Sequence, residues 1–310
     1  MNRRIGKFEL QRQLGKGACG TVYLAHDTFS GSEVALKVLD DDVVAAPELE
    51  KSHMKQFMNE ASLAGQLSHP HIASILEASV GEGSGYIAME FVPGGDLTQY
   101  TQPERLLSVA EIIEIAFKSC GALDYAFREG IIHRDIKPSN IMVSQGTDIK
   151  VTDFGAAYLH KAQQTQIADI GSPLYMSPEQ ISSRPLDHLS DMFALGVVLY
   201  ELLTGVRPFA APSITEIFRR VCEVDPPPPS TLRADIDTGV DGLIMRMLAK
   251  YPSDRYPTWA DLALDVAAIG RLSVYVKSIP DSERFISLRR IPLLEHLGDA
   301  EIWELARASK

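Results

Sequence analysis

The run from Asp191 to Gly205 (Asp-Met-Phe-Ala-Leu-Gly-Val-Val-Leu-Tyr-Glu-Leu-Leu-Thr-Gly) is apolar on nearly every side of a helical projection. A surface helix carries an apolar stripe and a polar face, so a helix without a polar face has to be enclosed. Its longest apolar stretch, Met192 to Leu203, contains Tyr200 and Glu201 and falls short of the roughly 20 apolar residues that cross a bilayer. The enclosing medium is therefore protein, and the run is expected to be a core helix through the centre of a helical layer. A chain of 310 residues, 45% of them hydrophobic, is long enough for one large domain or two smaller ones.

Charge and cysteine usage narrow the class. A formal net charge of −11 argues against a nucleic-acid or anionic-membrane partner, since either needs a basic face. A local basic pocket is still compatible with that total. The three cysteines, Cys19, Cys120 and Cys222, are scattered and form no CxxC pair, which fits a reducing compartment without a disulfide framework. The first residues, Met1 to Lys7, carry charge with no apolar run behind them, so no secretory signal is expected. The expectation is a soluble, cytoplasmic chain with no nucleic-acid and no membrane partner, and none of these features sets an oligomeric state.

Phe8 to Leu14 alternates apolar and polar residues as a half-buried strand does. Gly15-Lys16-Gly17-Ala18-Cys19-Gly20-Thr21-Val22 follows. Glycines let a hairpin bring backbone N–H groups against phosphates with no Cβ in the way. The same spacing opens a dinucleotide-binding turn, but that turn requires a helix directly after the glycines, and Thr21 to Ala25 reads as strand. Val34 to Leu39 is an apolar strand interrupted by Lys37, whose ammonium needs a partner or a ligand because burying it alone is costly. Phe57 to Leu67 reads as a helix that ends before His69-Pro70. His69 and His71 have no Cys or carboxylate at ligand spacing, which fits a helix-to-strand turn better than a metal site. Tyr86 to Val92 is a second apolar strand, stopped by Pro93-Gly94-Gly95-Asp96. Ser108 to Glu129 has helical spacing, with Ile112, Ile115, Ala116, Ser119, Leu123 and Ala126 on one face. Gly130 ends it, and Ile131-Ile132 is expected to be a short strand.

The next stretch, His133-Arg134-Asp135-Ile136-Lys137-Pro138-Ser139-Asn140, gathers a carboxylate, an ammonium and a carboxamide. Asp135 can accept or orient a hydroxyl proton, and Lys137 can neutralise a moving phosphoryl group. Asn140 offers the hard oxygen that Mg²⁺ shares with phosphates. Ile141 to Val143 and Ile149 to Val151 read as a hairpin that delivers Asp153-Phe154-Gly155, a second place for a Mg²⁺ ligand. The Gly-rich loop, the strand Lys37, this stretch and Asp153 together resemble the catalytic core of a eukaryotic-type serine/threonine protein kinase of bacterial kind, from about Phe8 to about Arg271.

That resemblance implies an α+β, two-lobed protein kinase fold. A small β-rich N-lobe would span residues 1–92, a larger helical C-lobe 93–272, and a helical extension 273–310. It implies ATP and Mg²⁺ as cofactors and γ-phosphoryl transfer to Ser/Thr hydroxyls of protein substrates, including the chain itself. Lys37 would hold the ATP phosphates and pair with Glu60, which stands nine residues before His69 as in the family pattern. Leu14, Gly15, Gly17 and Gly20 would border ATP. Val22, Ala35 and Met142 would sandwich the adenine, with Met89 as gatekeeper and backbone groups near Glu90 and Val92 hydrogen-bonded to the ring. Asn140 and Asp153 would hold Mg²⁺, Asp135 would orient the attacking hydroxyl, and Lys137 would stabilise the transferring group.

Gly171 to Glu179 resembles the end of an activation segment, with Ser177 where many kinases carry Ala. Lys137 together with Gly171-Ser172 is the serine/threonine pattern, and Ser172 matches the residue that bonds Asp135 and Lys137. Arg134 offers a guanidinium fork to a phosphate on the segment. Thr165, the only Thr between Gly155 and Glu179, is the first candidate for it, and an unmodified, solvated loop Thr reads equally well. Asp191 is expected to brace the catalytic-loop backbone, and Arg255 to pair with Glu179. Pro226 to Pro229 reads as a rigid surface loop. A scaffold that had lost catalysis would lack Lys37, Asp135 or Asp153, and all three are present. Small-molecule kinases of related fold usually lack the Ser-Pro-Glu segment. Cys19 reads as a tolerated small residue of the phosphate loop.

Beyond Arg271, residues Arg284 to Ala306 hold two short amphipathic segments, with Gly298 placed to end the first and Asp299 to N-cap the second. Ile302, Leu305 and Ala306 share a face. This tail resembles the opening helices of a cyclic nucleotide-binding domain, and a kinase-specific helical extension accounts for it equally. On the first reading the chain holds no barrel or phosphate cassette and would bind no cyclic nucleotide by itself.

Overall fold

The computed structural model describes residues 4–17, 20–39, 61–81, 84–154, 173–270, 288, 294 and 297–308. Strands β1 (Arg4–Ile5), β2 (Phe8–Gly17), β3 (Gly20–Asp27), β4 (Glu33–Val38), β5 (Ile75–Gly81) and β6 (Ser84–Glu90) form one antiparallel sheet. Their order is β1-β2-β3-β4-β6-β5. Phe8, Leu10, Ala25, Val34, Leu36, Val38 and Ala88 make its packed core, with Ile5, Tyr23 and Tyr86 against them. The two-residue period of a strand then sends Ala35 and Lys37 of β4 to the opposite face. Two register shifts interrupt β2 against β3, between Leu10 and Arg12 and between Gln13 and Gly15. Bulges of this kind bend and twist a strand, and the sheet curls accordingly.

The helical half comprises α1 (Val109–Arg128), α2 (Pro178–Ile181), α3 (His188–Thr204), α4 (Ile214–Glu223), α5 (Thr238–Met247) and α6 (Trp259–Gly270). A capping box starts α1: Ser108 N–H donates to Glu111 Oε2 at 2.8 Å, and Glu111 N–H donates to Ser108 Oγ at 3.3 Å. The Asp191–Gly205 run forms α3 as expected, buried from Ser190 through Thr204 and packed against α1 and α5. Gly205 ends it in the left-handed conformation, φ 71°. The fold is α+β with a β-rich and a helical lobe.

Ile131-Ile132 is not a strand. Ile131 N–H instead donates back to Ala126 O at 2.9 Å, wrapping the end of α1. β-branched residues favour strands only where a neighbouring strand can pair with them.

Strands β7 (Ile141–Val143) and β8 (Ile149–Val151) form a separate hairpin. It is stitched to the chain that enters β5: Ala73 N–H donates to Val151 O at 2.9 Å, and Val151 N–H to His71 O at 2.9 Å. On its other side Val143 N–H donates to Gly95 O at 2.8 Å. A Cβ on Gly94 would lie 2.1 Å from Val143 O, so only glycine fits this crossing.

By internal packing the chain divides into two compact units, residues 1–270 and 271–310. The second holds α7 (Asp299–Ala308). Ile302 N–H donates to Gly298 O at 3.1 Å, so Gly298 takes the capping position and Asp299 opens the helix rather than capping it. Among the described residues no helix is long and apolar enough to cross a membrane.

Candidate active site

From Ile131 to Lys137 the backbone has no regular structure, and its polar groups must find partners elsewhere. Asp191, buried on α3, supplies two: His133 N–H donates to its Oδ2 at 2.8 Å and Arg134 N–H to its Oδ1 at 2.7 Å. Burial raises the Asp191 carboxyl pKa, opposed by His133 and by these two donors. The His133 ring is itself fully buried, with Nε2 2.8 Å from Thr152 O and Nδ1 accepting from Asp135 N–H at 3.3 Å. A carbonyl oxygen can only accept, so the proton sits on Nε2 and one neutral tautomer satisfies both contacts. The ring also packs on Phe154, centroids 4.7 Å apart. Arg134 adopts φ 65°, a left-handed conformation that costs a non-glycine residue about 1–3 kcal/mol. Its peptide groups are held from both sides, the N–H by Asp191 and the C=O by Gln180 Nε2, which donates at 2.9 Å.

Asp135 follows directly. Its Oδ2 accepts from Lys137 Nζ at 2.6 Å and from Asn140 Nδ2 at 3.2 Å, and its backbone O accepts from Asn140 Nδ2 at 2.8 Å. Among the described residues Oδ1 takes no hydrogen bond. The 3₁₀ turn Pro138–Asn140 returns the Asn140 amide to Asp135, and among the described residues the Asn140 Oδ1 keeps only a 3.4 Å contact from Ser139 Oγ. Pairing of Ile141 with Val151 across the hairpin sets Asn140 beside Thr152, whose N–H donates to Asn140 O at 2.9 Å. Asp153 comes next, at φ 60°, a conformation that Asp tolerates better than most residues. Lys37 Nζ lies 3.2 Å from Asp153 Oδ1, so β4 of the sheet reaches the loop after β8. The Lys37 side chain is 12% exposed and that of Asp153 37%. Among the described residues no group of three or more His, Cys, Asp or Glu gathers as a metal cage. Asn140 and Asp153 each offer a side-chain oxygen of the hard kind that a divalent cation shares with phosphates and water.

Cross-strand pairs define the sheet face above these groups. Val22 lies opposite Lys37, Leu24 opposite Ala35, and Ala35 opposite Met89, and directly paired residues project from the same face. Gly15 pairs with Val22 and Gly17 with Gly20 at the turn end of the hairpin, and Leu14 stands in the bulge, 37% exposed. Gly20 sits at φ 150°, and a Cβ there would lie 2.1 Å from Val38 O. The Glu90 carboxylate is turned to Lys150, 3.0 Å away, and its N–H is bonded to Ser74 O at 2.9 Å. Val92 is 5% exposed, and among the described residues its N–H has no hydrogen-bond partner, as an adenine acceptor would require. Met142 is half-buried and bridges to Asp96. Asp135, Lys137 and Asn140 thus form one bonded cluster, and Lys37 and Asp153 another. Glu60, Thr165 and Ser172 lie outside the described residues, as do Cys19 and Gly155.

A family model of the protein kinase domain matches residues 8–264. The chain belongs to the protein kinase family. Relatives of this kinase include the serine/threonine-protein kinase PknB of Mycolicibacterium smegmatis, 36% identical over 305 residues, covering 95% of this chain and 48% of the relative. The probable serine/threonine-protein kinase PknB of Corynebacterium glutamicum is 35% identical over 280 residues, with 86% and 43% covered. The serine/threonine-protein kinase PknB of Mycobacterium tuberculosis is 35% identical over 289 residues, with 90% and 45% covered. The chain therefore spans about half the length of the curated relatives it matches.

In this kinase the Ser-Pro-Glu corner that opens α2 is firmly anchored. Arg255 Nη1 and Nη2 donate to the two Glu179 oxygens at 2.7 and 2.9 Å, and Ser190 Oγ donates to Glu179 Oε1 at 2.8 Å. Arg255 Nη1 also reaches Leu189 O at 2.7 Å, and its Nε reaches Ala249 O at 2.9 Å. Burial pushes the Glu179 carboxyl up, but the Arg255 fork outweighs it and holds the pKa below its ordinary value. His69 and His71 join the turn entering β5: His71 N–H donates to His69 Nδ1 at 3.2 Å, His71 Nδ1 faces Ile149 O at 3.1 Å, and His69 stacks on Tyr125. Burial lowers the pKa of both rings. Sequence reasoning assigned no part to His133, Thr152 or Gln180. A residue type carries no mark of the distant carbonyl or ring that it will meet.

Proposed function

We propose that the chain transfers the ATP γ-phosphoryl group to Ser and Thr hydroxyls of proteins, itself included. The observation that carries this reading is the Asp135 carboxylate, with Oδ2 tied to Lys137 and Asn140 and Oδ1 left to a substrate hydroxyl. Lys37 contacts the ATP phosphates, and Asn140 and Asp153 supply oxygens to the metal. Mg²⁺, when bound, would neutralise charge on the phosphates. Asp135 Oδ1 accepts the hydroxyl hydrogen bond and aims the oxygen, while Lys137 Nζ meets the charge that spreads over the transferring group. Val22, Ala35 and Met142 enclose the adenine, Met89 borders it, and Val92 N–H donates to it. Positioning and charge neutralisation then provide most of the rate.

The same reading takes residues 1–92 as N-lobe, 93–272 as C-lobe and 273–310 as a helical extension. It also takes a cytoplasmic location, with neither nucleic acid nor membrane as partner, in keeping with the net charge of −11. Glu60 is the carboxylate partner of Lys37, Ser172 bonds Asp135 and Lys137, and a phosphate on Thr165 is received by Arg134. The experiment is phosphoryl transfer from Mg-ATP to a generic protein substrate, with Asp135→Asn as control. Wild type is expected to label Ser and Thr in substrate and in itself, and the variant to label neither. A wild type that binds ATP yet transfers nothing would overturn the reading in favour of a scaffold.

The tail is taken as the opening helices of a cyclic nucleotide-binding domain, on the pattern from Ile291 to Ala306. Residues 284–306, exchanged for the corresponding helices of a characterised cyclic nucleotide-binding domain, should leave that domain's ligand affinity intact. A folded chimera without binding would contradict it.

A further inference from the structure

Gln180 makes three hydrogen bonds that tie the end of the segment before α2 to the catalytic loop. Its Oε1 accepts from Ser177 N–H at 2.9 Å, its own N–H donates to Ser177 Oγ at 3.3 Å, and its Nε2 donates to Arg134 O at 2.9 Å. Only one orientation of the carboxamide serves both ends, because Ser177 N–H needs an acceptor and Arg134 O needs a donor. The Arg134 carbonyl belongs to the peptide unit that leads into Asp135. The N–H of that unit donates to His133 Nδ1, and the preceding N–H donates to Asp191. Arg134 is left-handed without being glycine, so the unit holds its orientation only while its surroundings over-determine it. Among the described residues, Asp191 of the core helix α3 holds the preceding N–H and His133 of the loop holds the N–H of the unit itself. Gln180 holds its carbonyl from the Ser-Pro-Glu corner, whose place is set by Glu179 and Arg255.

We infer that Gln180 is a positioning residue for phosphoryl transfer, holding the Arg134–Asp135 peptide so that the Asp135 carboxylate faces the substrate hydroxyl. This rests on the kinase reading above. The inference explains why a carboxamide, and not a carboxylate or an apolar chain, occupies this place. A Glu would keep the acceptor for Ser177 N–H but set a second acceptor against Arg134 O.

The test compares Gln180→Glu with Ser177→Ala, which removes one half of the α2 cap and leaves Gln180 Nε2 in place. Gln180→Glu is expected to lower kcat about tenfold to a hundredfold, the scale of a small misplacement of a reacting group. KM for Mg-ATP should stay within about twofold, since Lys37 and Asp153, not Asp135, meet the nucleotide. Ser177→Ala should keep kcat within about twofold while losing thermal stability. A Gln180→Glu enzyme with wild-type kcat overturns the inference, as does a parallel fall of kcat and melting temperature in both variants. Wild type that transfers no phosphate would instead refute the kinase reading. In that case amide exchange at Asp135 decides: faster exchange in Gln180→Glu upholds the restraint, and unchanged exchange removes it.

Discussion

The two oxygens of Asp135 have different surroundings, and the difference is set by neighbours five residues away or fewer. Lys137 and Asn140 both donate to Oδ2, which fixes the rotation of the carboxylate and points Oδ1 outward. Asp135→Asn preserves the shape and loses the acceptor charge. It should lower kcat by about 10²–10⁴, the usual range for a positioned proton acceptor, with KM for Mg-ATP little changed. Steady-state kinetics over both substrates checks this, and a loss confined to KM would contradict it. Lys250 presents the opposite case, an ionised group in a poor place. Its Nζ is buried without a hydrogen-bond partner among the described residues, lying over the Phe209 ring at 4.2 Å and near that of Phe193 at 5.9 Å. Burial pulls its pKa from 10.5 down to about 8, with Arg255 adding to the shift and Asp225 and Cys222 opposing it. Between those two values the folded chain binds fewer protons than the unfolded chain, so this residue's penalty fades as pH rises through the window. Lys250→Met should therefore raise the melting temperature near pH 7 and bring a shrinking gain from about pH 8 toward 10.5. Thermal melts across that range read it directly, and a gain that does not change with pH would refute the account.

Elements in this molecule meet where one of them gives up a side chain. On α3, a Cβ at Gly196 would sit 2.9 Å from Met247 Cβ and 3.2 Å from Leu248 Cδ2. Met247 Cβ cannot swing away as a chain end would, so α5 itself must shift. Gly196→Ala is expected to cost about 1–3 kcal/mol of stability, the range for overpacking a filled core. Denaturant titration measures it, and kcat well below the melting temperature should be unaffected. An unchanged midpoint would mean that α5 is free to move. This crossing also marks the limit of what could be read beforehand. The helical character of α1 and α3 was legible because burial repeats with the helix period or fills it, and the closeness of Asp135, Lys137 and Asn140 was legible because it is local in sequence. Ile131-Ile132 read as strand on side-chain preference alone, and the preference failed because no strand lies alongside. The bonds from Gln180 to Arg134 and from His133 to Thr152 cross 46 and 19 positions, which no local pattern encodes. Asp191 was expected as a brace only through family resemblance. The backbone groups it satisfies follow from the irregular loop, not from anything in the sequence of α3.

At the scale of the whole catalytic unit, the nucleotide would span the two lobes. The sheet contributes Lys37, the hairpin of the helical lobe contributes Asn140 and Asp153, and the Lys37–Asp153 pair joins residues 116 positions apart. The backbone stitches through Ala73 and Val151 connect the same two regions beside it. A ligand held by both lobes stabilises the folded unit by mass action, about 2.7 kcal/mol at a hundredfold excess over Kd. For a unit of 270 residues that corresponds to a rise in melting temperature of about 5 °C. Mg-ATP, or Mg²⁺ with a non-hydrolysable analogue, should produce a shift of that order, and chelating the metal should remove most of it. Lys37→Met should diminish the shift with or without metal, because on the proposed reading the ammonium meets phosphate directly. Asp153→Asn should abolish the metal-dependent part and leave the remainder, because the amide is a weaker ligand than the carboxylate. Full metal dependence in Asp153→Asn would exclude Asp153 as a ligand, and an undiminished shift in Lys37→Met would place the phosphates elsewhere than between the lobes.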